Sequence, residues 1–69
     1  PEAGINVARA QVALGRDNDA RRTLAEVLKL RSGWPPAVEI LAMIDVREGR
    51  VDDALKRIEA LRAADVGGP

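Results

Sequence analysis

An all-α fold of four helices in two antiparallel pairs is what this 69-residue chain predicts, on three observations. It repeats itself at a spacing of 34 residues, its apolar residues recur three and four apart, and Gly or Pro stands where each helix should stop. A fixed internal period marks a chain built from stacked units. Laying residues 1–34 over residues 35–68 pairs nine identical residues without an insertion: Pro1/Pro35, Ala3/Ala37, Ala8/Ala42, Val12/Val46, Gly15/Gly49, Arg16/Arg50, Asp19/Asp53, Ala20/Ala54 and Gly33/Gly67. Val7 over Leu41, Arg22 over Lys56, Leu24 over Ile58 and Val27 over Leu61 keep the chemical type. An Ala-rich helix can match itself on alanines; paired glycines and prolines, which helices avoid, carry more weight.

The first helix is expected over about Glu2 to Leu14, with Ile5, Ala8 and Val12 on one face, and Gly15 stops it. Asn18 is a suitable N-cap for the second, with Asp19 in the first turn against the positive helix end. That helix runs to Leu30 or Arg31 and presents Ala20, Leu24, Val27, Leu28 and Leu30 as its apolar face. Arg22 and Glu26, four apart on the outer side, are placed to pair, and Lys29 and Arg31 suit the negative C-terminal end. Ser32-Gly33-Trp34-Pro35-Pro36 cannot continue a helix: Gly33 fits the left-handed C-terminal position and Trp34, before a proline, is pushed toward extended geometry. Pro35 and Pro36 suit the first turn of the third helix, where missing N–H groups cost least. This helix extends to about Glu48 with Val38, Leu41, Ala42, Ile44 and Val46 as apolar contacts, and Gly49 ends it as Gly15 ended the first. Asp52 repeats the cap of Asn18, and the fourth helix carries Ala54, Leu55, Ile58 and Leu61 before Val66-Gly67-Gly68-Pro69. Connections of about three or four residues force the helices of each pair antiparallel.

A chain this short buries only about 60% of its unfolded surface, so a single core is marginal. Stacked units relieve this by sharing apolar faces, and at least about three are usually needed. The chain is therefore expected to be one segment of a longer array: repeat one at 1–34, repeat two at 35–68, and Pro69 opening a further repeat. Eleven basic against eleven acidic side chains leave no net charge to draw the chain to nucleic acid or an acidic membrane surface. Nine of the eleven bases are Arg, and charges alternate in sign along each helix, as on a solvated face. Cysteine is absent, so redox compartment is unreadable, and no apolar run approaches the roughly 20 residues of a membrane span.

These residues together resemble the tetratricopeptide repeat, a 34-residue helix-turn-helix unit, over both units. The family's small residue on the first helix matches Ala8 and Ala42, its large apolar neighbour Val7 and Leu41, its turn glycine Gly15 and Gly49, its near-invariant alanine Ala20 and Ala54, and its bulky second-helix position Leu24 and Ile58. The resemblance implies a short right-handed α-solenoid segment. Departures lie at Gly4 and Val38, where the family often has Trp, at Gln11 and Asp45, where it often has Tyr, and at Ser32 and Val66, where it often has Pro. Losing these aromatics is expected to weaken the core. The period is one residue shorter than that of the RNA-reading pentatricopeptide family. In style, Leu30-Arg31-x-x-Trp34-Pro35-Pro36-Ala37 and Asp45-Val46-Arg47-Glu48-Gly49-Arg50 resemble the long tetratricopeptide lipoproteins of the bacterial PEP-CTERM exosortase system. That likeness implies a periplasmic or outer-membrane-anchored parent; without it, the bacterial cytoplasm stays open.

Catalysis is not expected. With no His, Cys or Tyr, one Ser and one Thr, the usual nucleophile and base pairings are missing. Asp52 and Asp53 read as helix-start acids, and no carboxylate cluster has metal-ligand spacing, so no cofactor or metal is expected. The resemblance implies a protein-protein interaction scaffold whose first helices line a concave groove for peptide or protein: Ile5, Arg9 and Val12 in the first unit, and Glu39, Met43, Val46 and Arg47 in the second, flanked by Glu2, Ala13 and Pro36. Arg9 and Arg47 suit an acidic or C-terminal group on such a ligand. The chaperone-type carboxylate clamp is excluded, because Ile5 and Arg9 stand where it needs Lys and Asn. Trp34, the sole aromatic, is expected to pack over the junction between units. The alternative is an assembly element: Val27, Ile58 and Leu61 exposed at the solenoid ends would drive homo-oligomerisation.

Overall fold

The computed structural model describes residues 2–66, which form four α-helices: α1 Glu2–Ala13, α2 Asp17–Leu30, α3 Pro35–Arg47 and α4 Val51–Val66. No strand occurs among them, and the fold is all-α. Pro1, Gly67, Gly68 and Pro69, on which part of the repeat pairing rests, lie outside the described residues.

The two turns within the pairs are built identically. Gly15 and Gly49 take left-handed φ values of 76° and 81°. Each places its N–H on the carbonyl three residues back, Gly15 on Val12 at 2.9 Å and Gly49 on Val46 at 3.0 Å. The next residue reaches five back, Arg16 to Gln11 at 2.8 Å and Arg50 to Asp45 at 2.7 Å. This is the Schellman closure, which satisfies carbonyls that a helix end would leave bare. The same arginines open the following helices, since the carbonyls of Arg16 and Arg50 accept from Ala20 and Ala54 at 3.0 and 3.1 Å.

That economy corrects the expected caps. Arg16, without any side-chain cap bond, is the N-cap of α2, and Asn18 lies inside the helix, as Asp52 lies inside α4. One residue closes one helix and starts the next, so no position remains for Asn18 to occupy. Asp17 and Asp19 still stand in the first turn of α2, where the helix dipole favours them. Arg22 pairs with Asp19 at 3.7 Å and Glu26 with Lys29 at 3.2 Å, in place of the expected Arg22–Glu26 pair.

Between the pairs, Arg31 ends α2 in extended geometry, and Gly33, two residues beyond that cap, is left-handed at φ 69° as expected. Trp34 is extended at φ −66° and ψ 120°, as a residue before proline should be. It caps α3 with its carbonyl, which accepts from Ala37 and Val38, while Pro35 and Pro36 fill the two positions that need no partner.

α1 packs on α2 and α4 on α3; the pairs meet where α3 lies against both α2 and α1. The core is a single cluster, with Ile5 and Ala8 from α1, Ala20, Leu24 and Val27 from α2, and Ala37, Ile40, Leu41 and Ile44 from α3. Ala8, Ala20 and Ala37 are fully enclosed, which is where the small residues let backbones approach. Four expectations about apolar residues are corrected. Leu30 and Leu55, assigned to core faces, are exposed, and so is Val46. Val27, assigned to an exposed end, is buried at 4% because α1 covers it: a Cβ built on Gly4 would overlap Val27 Cγ2. The glycine at a position where a Trp was missed thus leaves room for the α2 side chain.

Candidate binding groove and the charged seam

Because α1 and α3 lie side by side, their outward faces enclose a shallow furrow. One stretch, of about 350 Å³, is lined by Arg9, Val12, Pro36, Glu39, Ile40 and Met43. A second, of about 410 Å³, is lined by Glu2, Ile5, Asn6, Arg9, Trp34 and Pro36. Arg9 and Pro36 border both stretches, so the furrow runs continuously from Trp34 to Met43. Five residues expected in the groove, Ile5, Arg9, Val12, Glu39 and Met43, therefore come together. Ile5 contributes mostly as floor, being buried in the core, and Val12 packs against that core from above. Neither Arg9 nor Glu39 forms an ion pair among the described residues, so each keeps a charge available beside an apolar floor.

Val46 and Arg47 fall outside the furrow. Val46 is half exposed, and Arg47 turns toward the start of α2, its Nε 3.6 Å from Asp17 Oδ2. Trp34 leans on the core cluster, lines the furrow's end and carries the Arg31 guanidinium 5.3 Å above its ring centroid. A cation at that distance is held by the ring quadrupole. Of the expected self-association residues, Val27 is internal, whereas Ile58 and Leu61 are partly buried on α4. Leu61 lines an apolar pocket of about 230 Å³ with Gly33, Val38, Arg57, Ala60 and Ala64.

The most polar feature of the interior escaped the residue pattern. Asp45 is 1% exposed in the last turn of α3, on the stripe that carries Leu41 and Ile44. Its Oδ1 accepts from Arg21 Nη2 of α2 at 2.5 Å, and its Oδ2 from Arg57 Nε of α4 at 2.7 Å. Arg21 Nη2 also donates to Glu48 Oε1 at 2.5 Å. Two guanidinium groups and two carboxylates thus balance across the seam where the pairs meet. Burial pushes the Asp45 carboxyl upward, but hydrogen bonds and charge from Arg21 and Arg57 outweigh it and hold the carboxyl below the ordinary 3.8. Arg21 is raised further above its already high value, chiefly by the Asp45 bond and then by Glu48.

The same position one unit earlier is also polar. Thr23 Oγ1 donates to Gln11 Oε1 at 2.8 Å, and Gln11 and Thr23 are the counterparts of Asp45 and Arg57. The family pattern marks Asp45 only as the place of a missing aromatic; the signal in the sequence is that both units carry a hydrogen-bonding residue there, with a polar partner twelve residues on. A second tie between the pairs, Arg47 to Asp17, leaves Asp17 Oδ1 buried without a protein partner.

Among the described residues, no three acidic side chains converge as a metal ion would require, and no helix is long and apolar enough to cross a membrane. Compared with protein-family models, with curated proteins and with solved structures, the chain shows no match.

Proposed function

We propose that this chain is a non-enzymatic binding module of the tetratricopeptide kind, and that the furrow between α1 and α3 takes an extended peptide or protein segment. The observation that carries the reading is the furrow's composition. Arg9 and Glu39 flank an apolar strip of Val12, Ile40 and Met43, and neither charge is engaged by an ion pair among the described residues. Exposed apolar floor supplies affinity when covered, and fixed charges of both signs select register and polarity of a bound chain. Met43 suits such a floor, since its unbranched thioether adapts to varied side chains. The identical turns at Gly15 and Gly49, 34 residues apart, and the small residues at close approaches support the family reading.

Titration of labelled chain with a set of short peptides, each pairing an acidic or C-terminal carboxylate with an apolar residue, tests the reading by NMR. Shifts should concentrate on Arg9, Val12, Glu39 and Met43, and Arg9→Glu should weaken binding at least about tenfold, the loss of one charge-assisted contact. Shifts confined elsewhere, or an Arg9→Glu chain that binds as before, would remove the groove from consideration.

A further inference from the structure

Comparing each helix with its counterpart 34 residues on distinguishes side chains that face solvent from side chains that merely lack a cover. On α3, Ala37, Ile40, Leu41, Ile44 and Asp45 are buried. Their counterparts on α1, namely Ala3, Asn6, Val7 and Ala10, are exposed, and Gln11 is half-buried. These positions form one helical stripe, the one that α3 presses against the first pair. α1 therefore carries the same docking face with nothing on it. The complementary face is on the second pair: Val51 and Leu55 of α4 are exposed where Asp17 and Arg21 of α2 are partly covered, and Val46 is exposed where Val12 packs against the core.

The chemistry of the two faces has changed in step. Inside the chain, Arg21 meets Glu48 and Asp17 meets Arg47. The counterparts of the first pair are Leu55 and Leu14, and those of the second are Val51 and Ala13. Each of these two ion pairs is replaced by an apolar pair, on both sides of the seam at once, while the third, Arg21–Asp45, is replaced by Leu55 with Gln11, which Thr23 already engages. Of the seven large apolar residues exposed among the described residues, five are accounted for in this way: Val7, Leu14, Val46, Val51 and Leu55. Leu30, the most exposed at 78%, lies on neither face.

We propose that a second copy of this chain docks its α1 face on the α4 face of the first, repeating the internal seam with Leu14 against Leu55 and Ala13 against Val51 in place of the two ion pairs. A chemically unrelated partner would bind one face without requiring the other to match it; a second copy requires both. The copy-to-copy seam is not apolar throughout, since Arg62 stands where Leu28 packs and Asn6 where Ile40 packs; the Arg62 stem covers apolar surface while its head stays in water. The two faces are different, so the contact is heterologous and adds copies end to end. This inference is independent of the furrow's ligand.

Sedimentation equilibrium of the 69-residue chain from about 10 μM to about 1 mM, the weak end of specific association, is the test. The weight-average mass should climb from 7.4 kDa with concentration, and about 1 M salt should not reverse it, because the contact is apolar. Leu55→Arg alone and Leu14→Glu alone should each hold the chain at monomer mass with unchanged circular dichroism. Mixing the two variants should restore a salt-resistant dimer, since the unaltered α1 face of the Leu55→Arg chain meets the unaltered α4 face of the Leu14→Glu chain; only growth beyond that dimer, where the introduced guanidinium meets the introduced carboxylate as Arg21 meets Glu48, should be salt-sensitive. Leu30→Arg should leave association unchanged. A wild-type chain that stays at 7.4 kDa throughout overturns the proposal and leaves the faces to a different partner. So does a mixture that stays monomeric, or a Leu30→Arg chain that dissociates as fully as Leu55→Arg.

Discussion

Asp45 shows how one residue can convert a packing position into an electrostatic one. A carboxylate 1% exposed would ordinarily neutralise itself; here Arg21 and Arg57 reach both of its oxygens and keep it charged. Removing it strands the Arg57 guanidinium and leaves Arg21 with Glu48 alone, the two arginines partly shielded from water at 37% and 23% side-chain exposure. Asp45→Asn should therefore cost about 1–3 kcal/mol at neutral pH, below the full penalty of a deeply buried broken pair because both arginines retain water contact. The pH dependence has a definite sign. A carboxyl held below its ordinary 3.8 binds its proton more readily in the unfolded chain, so its contribution is complete above that value and lost as pH falls through the lower folded one. Urea unfolding at a series of pH values should show the Asp45→Asn deficit narrowing in that acid window. A deficit that stays constant into strong acid would mean that Asp45 acts through shape alone.

At the scale of helices, most boundaries were legible because they rest on residues with strong backbone preferences: Gly15 and Gly49 accept left-handed φ, and Pro35 and Pro36 cannot sit far inside a helix. The caps are not legible because Asn18 and Asp52 have the right chemistry two residues too late; pattern alone does not reveal that Arg16 and Arg50 already serve both neighbouring helices. The α1–α2 contact was misread for a related reason. Gly4 looked like a lost aromatic, whereas its missing Cβ admits Val27. Gly4→Ala tests this at the level of two helices. Alanine gains up to about 1 kcal/mol in helix propensity, but overpacking against a stiff β-branched side chain costs about 1–3 kcal/mol. The variant should be the less stable, and Val27→Ala in the same chain should relieve part of that loss, giving a non-additive double-mutant cycle. Additive effects in chemical denaturation would show that the two residues do not press on one another.

For the whole molecule, the 34-residue period made the number and order of helices legible, and five of the seven expected groove residues do share a furrow. The exposure of particular apolar residues was not legible, because a periodic pattern gives the same face to Val27 and Leu61 whether or not a neighbour covers them. Val27 is covered by α1 and lies 4% exposed, while Leu61 is only partly buried. The core itself is divided between the pairs: Ile5, Leu24 and Val27 on one side need Ile40, Leu41 and Ile44 from the other. Neither pair contains enough apolar surface to fold alone, since a two-helix hairpin of this size gains little beyond marginal helix propensity. Synthetic peptides covering residues 1–34 and 35–69 should accordingly be mostly unstructured when separate. Mixed in equal amounts, they should recover helical circular dichroism in proportion to complex formed, with Asp45→Asn in the second peptide weakening the complex by roughly tenfold or more, the factor corresponding to about 1.4 kcal/mol. Full helicity in either peptide alone would show that the seam joins two independently stable hairpins, and the exposed faces of α1 and α4 would then be far less costly to leave open than the shared core implies.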